Sequence, residues 1–142
     1  MQYIKGMQFY QNDKKTAITL GKFDGLHRGH ETLIERVIEH QKNDGVDSVV
    51  FAFDMAPLYE KIKKKKESLI TNEERAGRLF GRVDYLVECP FVEAVSKIEA
   101  ETFIKEILVK QFHAEYIVVG TDFHFGYQKK GDYHMLQQYS GE

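Results

Sequence analysis

One stretch restricts the fold more than any other: from Ile18 to His40 the chain reads as strand, glycine turn, helix. Apolar Ile18-Thr19-Leu20 ends in Gly21. Lys22-Phe23-Asp24-Gly25-Leu26-His27-Arg28-Gly29-His30 follows, a glycine-rich turn carrying two histidines. Glu31 to His40 then sets Leu33, Ile34, Val37 and Ile38 at a helical period. That order aims unpaired backbone N–H groups and the positive end of a helix dipole at one point, where phosphate is the usual guest.

The rest of the chain alternates in the same manner. Met1 to Lys15 reads as an edge strand and a loop, and Thr16 to Leu20 as a strand apolar enough to be buried on both faces, as in a parallel sheet. The helix from about Gly29 to Lys42 stops at Asn43-Asp44-Gly45. Asp47 to Phe53 is a second strand, Val83 to Cys89 a third and Tyr116 to Gly120 a fourth. Thr71 with Glu74 makes a capping box, and Ser96 with Glu99 offers another before a helix whose apolar side is Phe103, Ile104, Ile107, Leu108 and Phe112. A last helix starts near Gly131. The lysines of Lys61 to Lys66 read either as a solvated loop or as a basic flap near phosphates. These alternations predict one α/β domain, a doubly wound parallel sheet with a nucleotide site at the carboxyl ends of its strands.

Composition narrows the function classes. At 142 residues one domain with a proper core is expected, and a net charge of −2 gives no argument for nucleic acid. Apolar runs are short, as at Ile117 to Val119, so no membrane span is expected. The first residues carry no basic-then-apolar leader, and Cys89 is the only cysteine, which together lead to the expectation of a reducing cytoplasm.

Gly21-x-Phe23-Asp24-Gly25-x-His27-x-Gly29-His30 resembles the first signature of the bacterial FAD synthetase family, the FMN adenylyltransferase module usually joined to riboflavin kinase. Its His-x-Gly-His core is similar to the phosphate motif of the wider α/β nucleotidyltransferases. Further marks occur in the family's order. They are Leu69-Ile70-Thr71-Asn72-Glu73-Glu74-Arg75, Val83-Asp84, Cys89-Pro90-Phe91, Glu101-Thr102-Phe103-Ile104, Val119-Gly120-Thr121-Asp122-Phe123-His124-Phe125-Gly126 and Lys130-Gly131-Asp132. Two features depart from the family. After the second strand Phe53-Asp54-Met55-Ala56-Pro57 keeps one proline where the family has two, and no Ser-Ser-Thr-x-x-Arg segment is found. The expectation is a Rossmann-like adenylyltransferase domain over 1–142, shortened at its C-terminus and without the riboflavin kinase domain that completes the usual chain.

The resemblance implies transfer of AMP from ATP to FMN, giving FAD and pyrophosphate, with Mg²⁺ on the triphosphate rather than in a protein cage. It implies His27 and His30 on the ATP phosphates, with Gly21, Lys22, Phe23, Asp24, Gly25, Gly29 and Gly120 holding the nucleotide. Asp122 would serve at the adenosine end or orient the phosphates, and Phe53, Pro57, Phe91 and Phe125 would form the flavin slot. Plainer readings stand beside these. Asp24 is also a turn former, Asp122 also a loop cap, Phe51 and Phe53 also core, and one of Phe123 and Phe125 simply packing. His27 and His30 have a metal-pair spacing but no evident further ligands, and His40, His113 and His134 read as surface or satisfied core. Two other functions compete: a different nucleotidyltransferase acting on phosphopantetheine, nicotinate mononucleotide or a cytidylyl acceptor, and a nucleotide- or flavin-binding module without catalysis.

Overall fold

A computed structural model of the protein describes residues 2–21, 28–54, 81–120, 123–126 and 130–138. Among them five strands form one sheet in which every pairing is parallel: β1 (Gln2–Lys5), β2 (Thr16–Gly21), β3 (Asp47–Asp54), β4 (Tyr85–Pro90) and β5 (Ala114–Val118). Their order across the sheet is β1-β4-β3-β2-β5. The chain leaves β2 through α1 (Arg28–Asp44) to reach its neighbour β3, whereas β5, much later, docks on the other side of β2. The direction of winding therefore reverses at β2, and a sheet of this kind opens a crevice at the carboxyl ends of the two strands flanking the reversal.

Both faces of the sheet are covered, which is why the strands read as nearly unbroken apolar runs. Along β3, Val49, Phe51 and Phe53 face one core and Val50 and Ala52 the other, the period of two that a strand imposes. The second face meets α1 through Ile34 and Val37, both fully buried, with Ile38 partly so. The first face meets a helix that opens as α3 (Ala100–Thr102) and runs on as a π-helical segment, Phe103–Gln111. Phe103, Ile104, Ile107, Leu108 and Phe112 are all buried there, the apolar side read from the sequence. The wider turn shows in the Phe112 N–H, which donates to the Ile107 carbonyl at 2.9 Å, five residues back.

The structure corrects the expected cap at Ser96. Ser96 closes a short helix, α2 (Glu93–Ser96), and its hydroxyl donates backwards to the Glu93 carbonyl at 2.7 Å. Glu99 is the extended residue before the next helix, and its side chain makes no cap. β4 begins at Tyr85 rather than Val83, and β5 spans Ala114–Val118 rather than Tyr116 to Gly120. The edge strand before Lys15 is β1, paired to β4, and the final helix is α4 (Tyr133–Gln138). The lysine run and the Thr71–Glu74 capping box lie outside the described residues.

Two expected bystanders have packing roles. The His40 ring stacks on Tyr116 at 3.9 Å, with Nδ1 2.9 Å from an Asp44 carboxylate oxygen. His113 takes a positive φ of 52° in the turn into β5, where its carbonyl accepts the Thr16 N–H at 3.0 Å.

Candidate active site

Gly21 ends β2, buried and paired with Ala52. The chain next enters α1 at Arg28, with Gly29 and His30 in the helix's first turn. The first N–H groups of any α-helix lack partners within it, and the dipole adds positive potential, so this end of α1 suits an anion. On the other side of β2, Thr19 pairs with Val118, and Gly120 leaves β5 two residues past that pair, as Gly21 does on β2. The Phe123 N–H then donates to the Gly120 carbonyl at 3.1 Å. Of the expected nucleotide contacts, Gly21 ends β2, Gly29 and His30 open α1, and Gly120 follows β5, the elements that border the crevice. Lys22, Phe23, Asp24, Gly25, His27, Pro57 and Asp122 lie outside the described residues.

Beside the crevice stands a cluster of phenylalanines. Phe53 comes from the end of β3, and Phe91 is held next to it because its N–H donates to the Asp54 carbonyl at 2.8 Å. Their rings meet edge-on at 6.2 Å. Phe123 lies 6.4 Å from Phe53 and nearly parallel, and stacks on Phe125 at 5.8 Å. Phe103 closes the group from the opposite helix, 6.1 Å from Phe53 and 5.7 Å from Phe125. Phe53, Phe103 and Phe125 are buried, whereas Phe91 and Phe123 are only half-buried. Phe53, Phe91 and Phe125 are slot candidates from the sequence, and the structure adds Phe103 and Phe123 to their cluster. The Phe-x-Phe spacing and the Glu-x-Phe-Ile helix were the available signals.

Two ion and thiol environments bear on the chemistry. Glu31, in the first turn of α1, takes both ends of the Arg82 guanidinium, at 2.8 and 3.2 Å, and this bond holds Arg82 above its ordinary pKa. Cys89 is buried on the aromatic face of the sheet, and burial pushes its thiol up to about 11. A thiol so far from ionising is a poor nucleophile.

The family model described as FAD synthetase matches residues 9–142. The chain belongs to the FAD synthetase family. Among curated relatives of this chain, the bifunctional riboflavin kinase/FMN adenylyltransferase of Escherichia coli K12 is 31% identical over 124 residues, 86% of this chain and 40% of the relative. The proteins of the same description from Buchnera aphidicola (Schizaphis graminum) and Pseudomonas fluorescens are 28% and 30% identical, over 97% and 96% of this chain and 45% of each relative. The chain therefore spans under half the length of these relatives. A crystal structure described as a macrolide-efflux protein from Streptococcus pneumoniae superposes with a TM-score of 0.80 at 25% identity, over 98% of this chain and 47% of that one. Among the described residues no helix is long and apolar enough to cross a membrane.

Two family marks have a structural explanation in this chain. In Val83-Asp84, the Asp84 carboxylate accepts the Ser48 N–H at 3.0 Å, and the Asp84 N–H returns a bond to the Ser48 hydroxyl at 2.8 Å, locking β4 against β3. In Phe125-Gly126 with Lys130-Gly131-Asp132, Phe125 and Gly131 exchange backbone bonds of 3.0 and 2.8 Å, and the Asp132 carboxylate caps α4 by accepting the Met135 N–H at 3.0 Å.

Proposed function

We propose that this chain is an FMN adenylyltransferase, transferring AMP from ATP to FMN in the making of FAD. An oxygen of the FMN phosphate attacks the α-phosphorus of ATP. A new P–O bond forms, the bond to the β-phosphate bridging oxygen breaks, and pyrophosphate leaves with that electron pair. No covalent enzyme intermediate is needed. The work of the protein is to align two anionic groups and to spread the charge that develops on pyrophosphate.

One observation carries the reading: the glycine end of β2, the start of α1 and Gly120 just past β5 lie where the sheet reverses, beside an aromatic cluster built on the ends of β3 and β4. A polyanion and a flat aromatic ring are the ligands such a pair of neighbours suits. The relatives' own description, riboflavin kinase/FMN adenylyltransferase, agrees with it. In this reading Gly21, Gly25 and Gly29 let backbone amides approach phosphate, with Lys22, Phe23, Asp24 and Gly120 completing the nucleotide's surroundings. His27 and His30 donate to the phosphates, whose charge raises the imidazole pKa values. Asp122 orients the adenosine or the reacting phosphates, and the flavin ring enters between Phe91 and Phe123, backed by Phe53, Phe125 and Pro57. Among the described residues no three His, Cys, Asp or Glu side chains gather as a metal cage. Mg²⁺ carried on the triphosphate oxygens needs none, since it keeps several of its waters. Residues 1–142 are then the adenylyltransferase part of a cytoplasmic enzyme whose partner is a riboflavin kinase domain, without nucleic acid or membrane.

The test supplies the protein with ATP and, in turn, FMN, riboflavin, nicotinate mononucleotide and phosphopantetheine. FAD and pyrophosphate in equal amounts from FMN alone are expected, and chelation of Mg²⁺ should stop the reaction. Product from another acceptor, or ATP binding without pyrophosphate release in the presence of FMN, would overturn the proposal.

A further inference from the structure

The hairpin that carries Phe125 rests on helix α3 with no space left between them. A Cβ placed on Gly126 would lie 2.6 Å from the Ala100 Cα and 2.7 Å from both its N and its Cβ. Two of these are backbone atoms, so nothing on the helix side can swing away. Gly126 also holds a φ of +81°, where a side chain is strained in any case. A Cβ on Gly131 would lie 2.7 Å from two atoms of the Phe125 ring edge and 2.9 Å from the Ala100 methyl. Ala100 itself is buried, the first residue of its helix. The hairpin backbone, the Ala100 methyl and the edge of the Phe125 ring therefore fill one another's space completely.

We propose that Ala100 is a positioning residue for the acceptor substrate: its methyl, wedged against Gly126 and Gly131, sets the height of the Phe125 ring above the sheet. It acts through other residues. Phe125 stacks on Phe123 at 5.8 Å, with ring planes 16° apart, and Phe123 lies nearly parallel to Phe53 at 6.4 Å. Any push at Ala100 passes along this stack to Phe123, the half-buried ring that borders the proposed flavin slot. The nucleotide end is reached by a different route, through β2 and α1, and Ala100 adjoins neither of them along the chain. The inference rests on the FMN reading of the site.

The experiment measures KM for FMN and for ATP, kcat, and FMN binding by quenching of flavin fluorescence, in the parent protein, Ala100→Ser, Ala100→Val and Gly131→Ala. Circular dichroism and melting temperature accompany each variant. The KM for FMN should rise with the size of the residue at position 100, reaching about tenfold for Ala100→Val, while the KM for ATP stays within about twofold. Gly131→Ala, whose Cβ would meet both the Phe125 ring edge and the Ala100 methyl, should follow the same split. If Ala100→Val does not fold, Ala100→Ser and Gly131→Ala decide. A parallel rise in both KM values, or lower melting temperatures with unchanged FMN binding, would overturn the inference. A parent that makes no FAD refutes the proposed reaction, but the fluorescence titrations still test the wedge. A parent that does not bind FMN overturns both.

Discussion

The acidic residue of the Val83-Asp84 mark invites a catalytic role, and the structure argues for a different one. Ser48 is fully buried at the start of β3, and its backbone N–H donates to the Asp84 carboxylate at 3.0 Å. The Ser48 hydroxyl is 2.7 Å from the Gln41 side-chain oxygen, so the same residue ties the strand to α1. Asp84→Ala deletes the acceptor of a buried N–H. A hydrogen bond to a charged group contributes about 1.5–3 kcal/mol, and an orphaned buried donor costs a similar amount. For a domain of this size that corresponds to a fall of roughly 5–12 °C in melting temperature. Asp84→Asn keeps a carbonyl acceptor and should cost about half as much. Urea unfolding should show a lower midpoint at constant slope, since the surface exposed on unfolding is unchanged. FAD formation per folded molecule, measured well below the melting temperature, should stay within about twofold of the parent. An Asp84→Ala protein that melts like the parent and turns over a hundred times more slowly would refute the structural assignment.

Further outcomes follow from single buried groups. The Thr19 hydroxyl is buried in β2 and finds no partner among the described residues, so Thr19→Val should raise the urea midpoint by the equivalent of about 1 kcal/mol. A lowered midpoint would mean the hydroxyl is bonded. Tyr10 is stacked on Phe112 at 4.2 Å, and burial pushes its phenol from 10.0 up to about 12. Its contribution is complete below pH 10 and lost as pH rises from 10 towards about 12, because the unfolded chain gives up the proton first. The unfolding free energy from urea titrations should therefore drop over that alkaline window, by about 2–3 kcal/mol if Tyr10 acts alone, and Tyr10→Phe should flatten the drop. The Cys89 thiol, raised to about 11, should react with an aromatic disulfide reagent only as the protein unfolds, and Cys89→Ala should leave FAD formation intact. Fast labelling of the native protein would contradict this.

The sheet was legible because its strands are buried on both faces and punctuated by glycine and asparagine, signals that depend on neighbours in sequence. Helix α1 was legible for the same reason, through Ile34 and Val37. Ser96 misled because Ser-x-x-Glu fits a capping box equally well whether the serine opens one helix or closes another, and only the Glu93 carbonyl within reach decides. The π-helical winding was hidden because Phe103, Ile104, Ile107 and Leu108 bury one face at either pitch. Gly21 was legible as the end of β2, since a tight exit from a strand restricts residue type locally. The aromatic cluster was only half legible: it assembles from β3, the residue after β4, the π-helical segment at Phe103, and Phe123 and Phe125 beyond β5, and packing alone separates buried Phe125 from half-buried Phe123. Ala100 gave no signal, because its importance lies in the backbone of glycines distant in sequence.

A triphosphate gripped where β2 gives way to α1 is tested most directly by one comparison. FAD and pyrophosphate are followed together, from FMN and ATP, for the parent protein and for His30→Ala. The parent should release both in equal amounts, and His30→Ala should fold normally yet turn over about 10²–10³ times more slowly, the cost of one preorganised donor to developing charge. Parent-like turnover in the folded His30→Ala protein would contradict it.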